Sequence, residues 1–165
     1  MSSLHFKTRL DKWVHRLYGV VGDAELRDHL VRSFCNYKDF VLTAAQMDTL
    51  NATPVEILAA PGSGIINIPV GLLLKVNSTG YTAFELGSGV LEFRYTDASG
   101  AKIVTDVVNG TVESATDLLS YHPPIVALPV ANAAIVAHSS TDVTAGTGNI
   151  QGRLFYRPVK ISEIV

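Results

Sequence analysis

The chain has a single cysteine, Cys35, in 165 residues. An internal disulfide and a thiolate metal cluster are both excluded by that count, and a lone thiol between Phe34 and Asn36 is expected to be a buried small hydrophobe. Charge is scarce too: Asp, Glu, Lys and Arg make up 17% of the chain, against ~25% in an ordinary soluble domain. The formal balance of −2 removes the bulk electrostatic case for nucleic acid or an anionic membrane. No apolar run approaches the ~20 residues of a membrane-spanning helix. Near the start, Lys7 and Arg9 lead into Asp11 and Lys12 instead of an apolar signal core, so the expectation is a protein that is intracellular when made.

What the chain does have is apolar surface to bury. Hydrophobic residues are 47% of the sequence, and mean hydropathy is +0.26. The length suits about one domain of ~150 residues. So apolar and weakly charged a chain can fill a core and still have surface left for an assembly.

Seven of the thirteen cationic side chains fall in residues 1–40, giving that segment a balance near +2 and the remainder near −4. Leu10, Trp13, Val14, Leu17, Tyr18 and Val21 recur at the spacing of one helical face. Gly22 interrupts the stripe, and Asp23 then offers an N-cap for a second helix carrying Leu26, Leu30, Val31 and Phe34. Two readings stay open for this arm, placed at residues 1–41: it packs on its own domain, or it attaches the protein to a partner or sister subunit. The partner reading makes Trp13, Leu17, Tyr18, Leu26, Leu30 and Phe34 the interface residues. His5, His15 and His29 lack the i, i+4 spacing of a helical metal pair, so no metal or cofactor is expected there.

From residue 42 onward the texture changes. Thr43-Ala44-Ala45-Gln46 matches a capping box, and Pro54 ends the short helix it opens. Strands are expected at Val55–Ala59, Ile65–Val70 and Leu72–Asn77, with Pro69-Gly71 marking an edge or a bulge. Pro61-Gly62-Ser63-Gly64 reads as a β-turn, because a strand and not a helix follows it. Tyr81–Leu86 alternates weakly, and Val90–Tyr95 alternates cleanly. Lys102–Val108 then runs to Asn109-Gly110, the strongest hairpin signal in the chain. Ser114–Tyr121 fits a helix or a strand. Ile125–Val130, Ile135–Ala137 and Ile150–Lys160 complete the set. Short strands with turns every 8–12 residues predict a mainly β fold: a jelly-roll-like antiparallel β-sandwich at 42–165 behind an N-terminal helical arm.

Catalytic constellations are thin. His138-Ser139-Ser140-Thr141-Asp142 holds the letters of a triad without a nucleophile elbow. Glu85 with Glu92, or Glu113 with Asp117, could pair as carboxylates for glycoside hydrolysis, though Glu85 and Glu92 read as solvent-facing strand residues. Asp97, Asp106 and Asp142 form no calcium loop. Aromatics at Phe93, Tyr95, Phe155 and Tyr156 do not interleave with a basic patch, so an RNA-binding sheet is not expected. The expectation is a protein that is not an enzyme.

The runs Leu42–Gln46, Leu50–Val55, Ala60–Gly64, Gly80-Tyr81-Thr82, Leu91–Tyr95 and Leu154–Arg157 resemble small virion proteins of tailed bacteriophages, in particular capsid decoration (cement) proteins. The resemblance covers Leu42–Val159 and leaves the arm outside it; Ile65 departs from the pattern, where a Lys often follows the Gly-rich turn. It implies a jelly-roll or sandwich body, no cofactor, and a place in the virion after synthesis in the host cytoplasm. Implied partners are the major capsid protein or other virion proteins, with self-association as a dimer or trimer, and neither nucleic acid nor membrane. A tail or baseplate component that binds a receptor or carbohydrate through its polar loops is the alternative.

Overall fold

A computed structural model describes residues 35–76, 82–113, 118–125 and 129–163. The chain divides into two compact units, Met1–Cys35 and Asn36–Val165. The arm residues Trp13, Leu17, Tyr18, Leu26, Leu30 and Phe34 lie outside the described residues, and Cys35, expected to be buried, is only half-buried.

The second unit is mainly β. In chain order its elements are β1 (Asn36–Thr43), α1 (Ala44–Thr49), β2 (Val55–Leu58), β3 (Ile65–Val76), β4 (Val90–Tyr95) and β5 (Val107–Val108). Then come α2 (Asn109–Val112), β6 (Leu118–His122), β7 (Ile135–Ser139), β8 (Asn149–Lys160) and a terminal 3₁₀ turn. They form two four-stranded antiparallel sheets, in the orders β1-β8-β3-β6 and β2-β7-β4-β5. The pairings nest: β4 with β5, β3 with β6, β2 with β7 and β1 with β8. The chain thus behaves as one long hairpin rolled over itself, and β3·β8 and β4·β7 close each sheet.

The inner faces share one core, the arrangement of a β-sandwich. Leu42, Leu72, Leu74, Ile150 and Leu154 from the first sheet are buried with Leu91, Phe93, Tyr95, Ile135 and Ala137 from the second. Phe40 and Phe93 meet across the layers with ring centroids 5.8 Å apart and planes tilted by 54°, a favourable aromatic geometry. Gly152, the partner of Phe40 in the register, makes that contact possible: a Cβ there would overlap the Phe40 ring. The Tyr95 hydroxyl donates to the Asn67 carbonyl at 2.6 Å, tying the sheets together, and burial pushes the phenol up to about 12.

Local signals hold where the chemistry is local. Gln46 N–H donates to Thr43 Oγ1 (3.3 Å) and Thr43 N–H to Gln46 Oε1 (3.0 Å), completing the capping box. Gly62 and Gly64 take φ of +101° and +75° in the turn that leads into β3. The Pro69/Gly71 irregularity is a bulge inside one twelve-residue strand, where the sequence suggests two runs.

Other expectations are corrected. Residues 36–41, counted with the arm, form most of β1 and pair residue for residue with β8. Asn109-Gly110 makes no hairpin: it opens α2, whose Val112 is buried, because the chain must leave one sheet here to reach β6 in the other. Lys102–Val108 is strand only at Val107–Val108, with isolated bridges at Lys102 and Val104. Residues 82–86 are not a regular strand, yet Phe84 and Leu86 are buried and the segment bonds to 144–147: Glu85 N–H donates to the Ala145 carbonyl, and Thr144 and Thr147 N–H donate to the Glu85 and Thr82 carbonyls.

Candidate interaction face

The outer side of an antiparallel sheet is normally its polar side. Here the first sheet departs from that. The register places Asp39, Arg153, Leu73 and Tyr121 in one row across β1, β8, β3 and β6. Val41, Gln151, Lys75 and Leu119 form the next row. Tyr37 and Phe155 pair in the row before them. Tyr37, Val41, Leu119 and Tyr121 are 51%, 46%, 68% and 59% exposed, so four large apolar side chains stand on one face.

Polar contacts hold this face in shape. Arg153 donates to both carboxylate oxygens of Asp39, from Nε at 2.6 Å and Nη2 at 2.9 Å. The same guanidinium lies 4.4 Å from the centre of the Tyr37 ring. The Arg153 hydrogen bond keeps the Asp39 carboxyl below the usual aspartate range. At the other edge the Tyr121 ring lies over Gly71, where a Cβ would come within 2.7 Å of it. Between the two ridges is a shallow depression of about 530 Å³ bordered by Val41, Leu73, Lys75 and Leu119. Tyr and Arg around an apolar centre are the residues that carry binding energy at protein interfaces. A signal for this face was present: Leu72-Leu73-Leu74 is too apolar for a strand with one wet side.

The second sheet's outer face carries a charge cluster instead. Glu92 is 4% exposed, not solvent-facing as its alternation suggests, because cations fold over it. It accepts from Arg94 Nε at 2.8 Å and Lys102 Nζ at 2.7 Å, and His138 Nδ1 lies 3.3 Å away. Lys102 also reaches Asp106 at 2.7 Å, and Arg94 donates to the Gly100 carbonyl at 2.6 Å. Burial pushes the Glu92 carboxyl up, but the hydrogen bonds from Arg94, Lys102 and His138 outweigh it and hold the group at about 2. A carboxylate so held stays ionised and has no proton to give as a general acid.

The remaining sequence candidates are tied into the scaffold. Ser139 is fully buried and donates to the Thr141 carbonyl at 2.6 Å, while Ser140 Oγ accepts from Val90 N–H at 2.9 Å. Glu85 lines a depression with Glu113 and Thr144 on the loops, whereas Glu92 turns to its cations; Asp117 lies outside the described residues. Ser120 Oγ and His122 Nε2 sit 2.9 Å apart on β6, a pair that sequence reading did not single out, and burial lowers the imidazole pKa. Among the described residues no group of three or more His, Cys, Asp or Glu is placed to hold a metal ion, and no helix is long and apolar enough to cross a membrane.

Neither family models nor curated proteins give a match to this chain. A solved structure titled "Cyanophage Pam1 capsid asymmetric unit" is similar over 74% of this chain and 81% of that one, at 16% identity and a TM-score of 0.43.

Proposed function

We propose that this chain is a non-enzymatic virion structural protein of a tailed bacteriophage, a head decoration protein that binds and stabilises the capsid shell through its N-terminal arm and its sandwich edges. The observation that carries the reading is the apolar outer face of the first sheet, which a freely soluble sandwich would keep polar. The sequence resemblance over Leu42–Val159 points the same way. We read the nested pairing of eight strands as a jelly roll, a fold common in viral shells but also in lectin-like domains. Fold alone therefore does not choose between shell and glycan binding.

The test is co-sedimentation of the purified protein with phage heads stripped of it. Full-length chain should bind saturably, and a chain lacking residues 1–34, cut short of β1, should not bind while keeping its β-type circular dichroism. Binding by the truncated chain would remove the arm from the attachment. The tail or baseplate alternative rests on the loop depression of about 430 Å³ lined by Glu85, Glu113 and Thr144. Saturable binding on a glycan array, lost in Glu85→Gln, would favour it.

A further inference from the structure

We propose that the outer face of the first sheet is a two-fold interface with a second copy of this chain, laid so that β1 of one copy covers β6 of the other. This deepens the self-association part of the proposed function. It takes the same apolar face as covered by a second copy, and its test reads self-association without phage heads, so its failure is distinguishable from a failure to bind the shell.

The area suits such an interface. Strands ~4.8 Å apart and ~3.4 Å per residue give the four-stranded face ~14 by ~17 Å between backbones, and on the order of 650 Å² with side chains overhanging each margin. Relief from protruding Tyr and Leu side chains brings this close to the ~800 Å² that each partner contributes to a standard stable complex. Sheets stacked face to face at ~10 Å are also an ordinary packing mode.

Charge decides the orientation. Two copies of one face can meet about a two-fold axis in its plane, either across the strands or along them. An axis across the strands through the middle row lays Asp39 on Asp39 and Arg153 on Arg153, stacking like charges in a desolvated centre. An axis along the strands, between β8 and β3, exchanges β1 with β6 and β8 with β3 within each row. Asp39 then meets Tyr121, whose hydroxyl can donate to it, and Val41 meets Leu119. Lys75 meets Gln151, whose amide oxygen can accept, and Arg153 meets Leu73 while keeping its Asp39 and Tyr37 partners. No like charges oppose each other within these two rows.

The experiment uses the full chain. Sedimentation equilibrium at micromolar concentration should show a dimer, weakened at least ~30-fold by Leu119→Asp or Tyr121→Ser, as for residues at the centre of an interface. Both positions are exposed in one copy, so the circular dichroism of the monomeric variants should match the parent, and their urea unfolding should match that of the parent diluted below its dimer dissociation constant. In a Cys35→Ser background, Val41→Cys/Leu119→Cys should join into covalent dimers with a short bismaleimide, and each single cysteine variant should not. A monomeric or trimeric parent, a dimer indifferent to both face variants, or single-cysteine cross-linking as efficient as the double would overturn the proposal.

Discussion

Glu92→Gln tests the charge cluster most directly, because it keeps the side chain's shape and removes only the charge. The folded carboxyl sits at about 2, against an ordinary value of 4.5. At ~1.4 kcal/mol per pH unit, that difference is worth on the order of 3 kcal/mol at neutral pH. The folded pKa is depressed, so this stability is present above 4.5 and is lost as pH falls toward 2. At pH 3 about half of it should be gone. Lys102 remains cationic throughout this window and keeps Asp106 as a second partner. Parent and variant should therefore differ by ~3 kcal/mol in urea unfolding at pH 5.5 and by roughly half that at pH 3. Far-UV circular dichroism is the suitable probe, since the only tryptophan, Trp13, lies in the arm. Groups outside the cluster have the same surroundings in both proteins and cancel in the comparison. A gap that is the same size at both pH values would refute the depressed carboxyl, and a gap under ~0.5 kcal/mol would refute the cluster as a source of stability.

Three further outcomes follow from the packing. Gly152→Val should drive a side chain into the Phe40 ring and unseat its contact with Phe93, costing ~1–3 kcal/mol in urea unfolding. Tyr95→Phe removes the inter-sheet bond to the Asn67 carbonyl and should cost ~1–2 kcal/mol without changing the dependence on urea concentration. Thr43→Ala breaks the capping box before α1 and should cost ~1 kcal/mol, readable as a small fall in thermal midpoint.

Much of the body was legible because it depends on neighbours in sequence. The capped turn at Thr43, the Gly62–Gly64 turn and the strand Val90–Tyr95 are each governed by a few consecutive residues. Asn109-Gly110 misleads for the converse reason. Its dipeptide favours a hairpin, but burying Val112 and bonding Asn109 Nδ2 to the Gly87 carbonyl at 2.7 Å favour a helical turn. The alternation of Val90–Tyr95 sets Glu92 on the outer side of its strand but cannot set its environment, since Lys102 and His138 reach it from other segments.

Composition and period by themselves determined a mainly β, weakly charged body with more apolar surface than one core requires. They could not say which apolar residues were spare, because a period of two gives two faces and names neither as inner. The pairing of β1 with β8 and of β3 with β6 decided that, burying Leu42, Leu72 and Leu74 and leaving Tyr37, Val41, Leu119 and Tyr121 outside. Register across four strands far apart in sequence is a tertiary property, and it is what turns scattered apolar residues into a face.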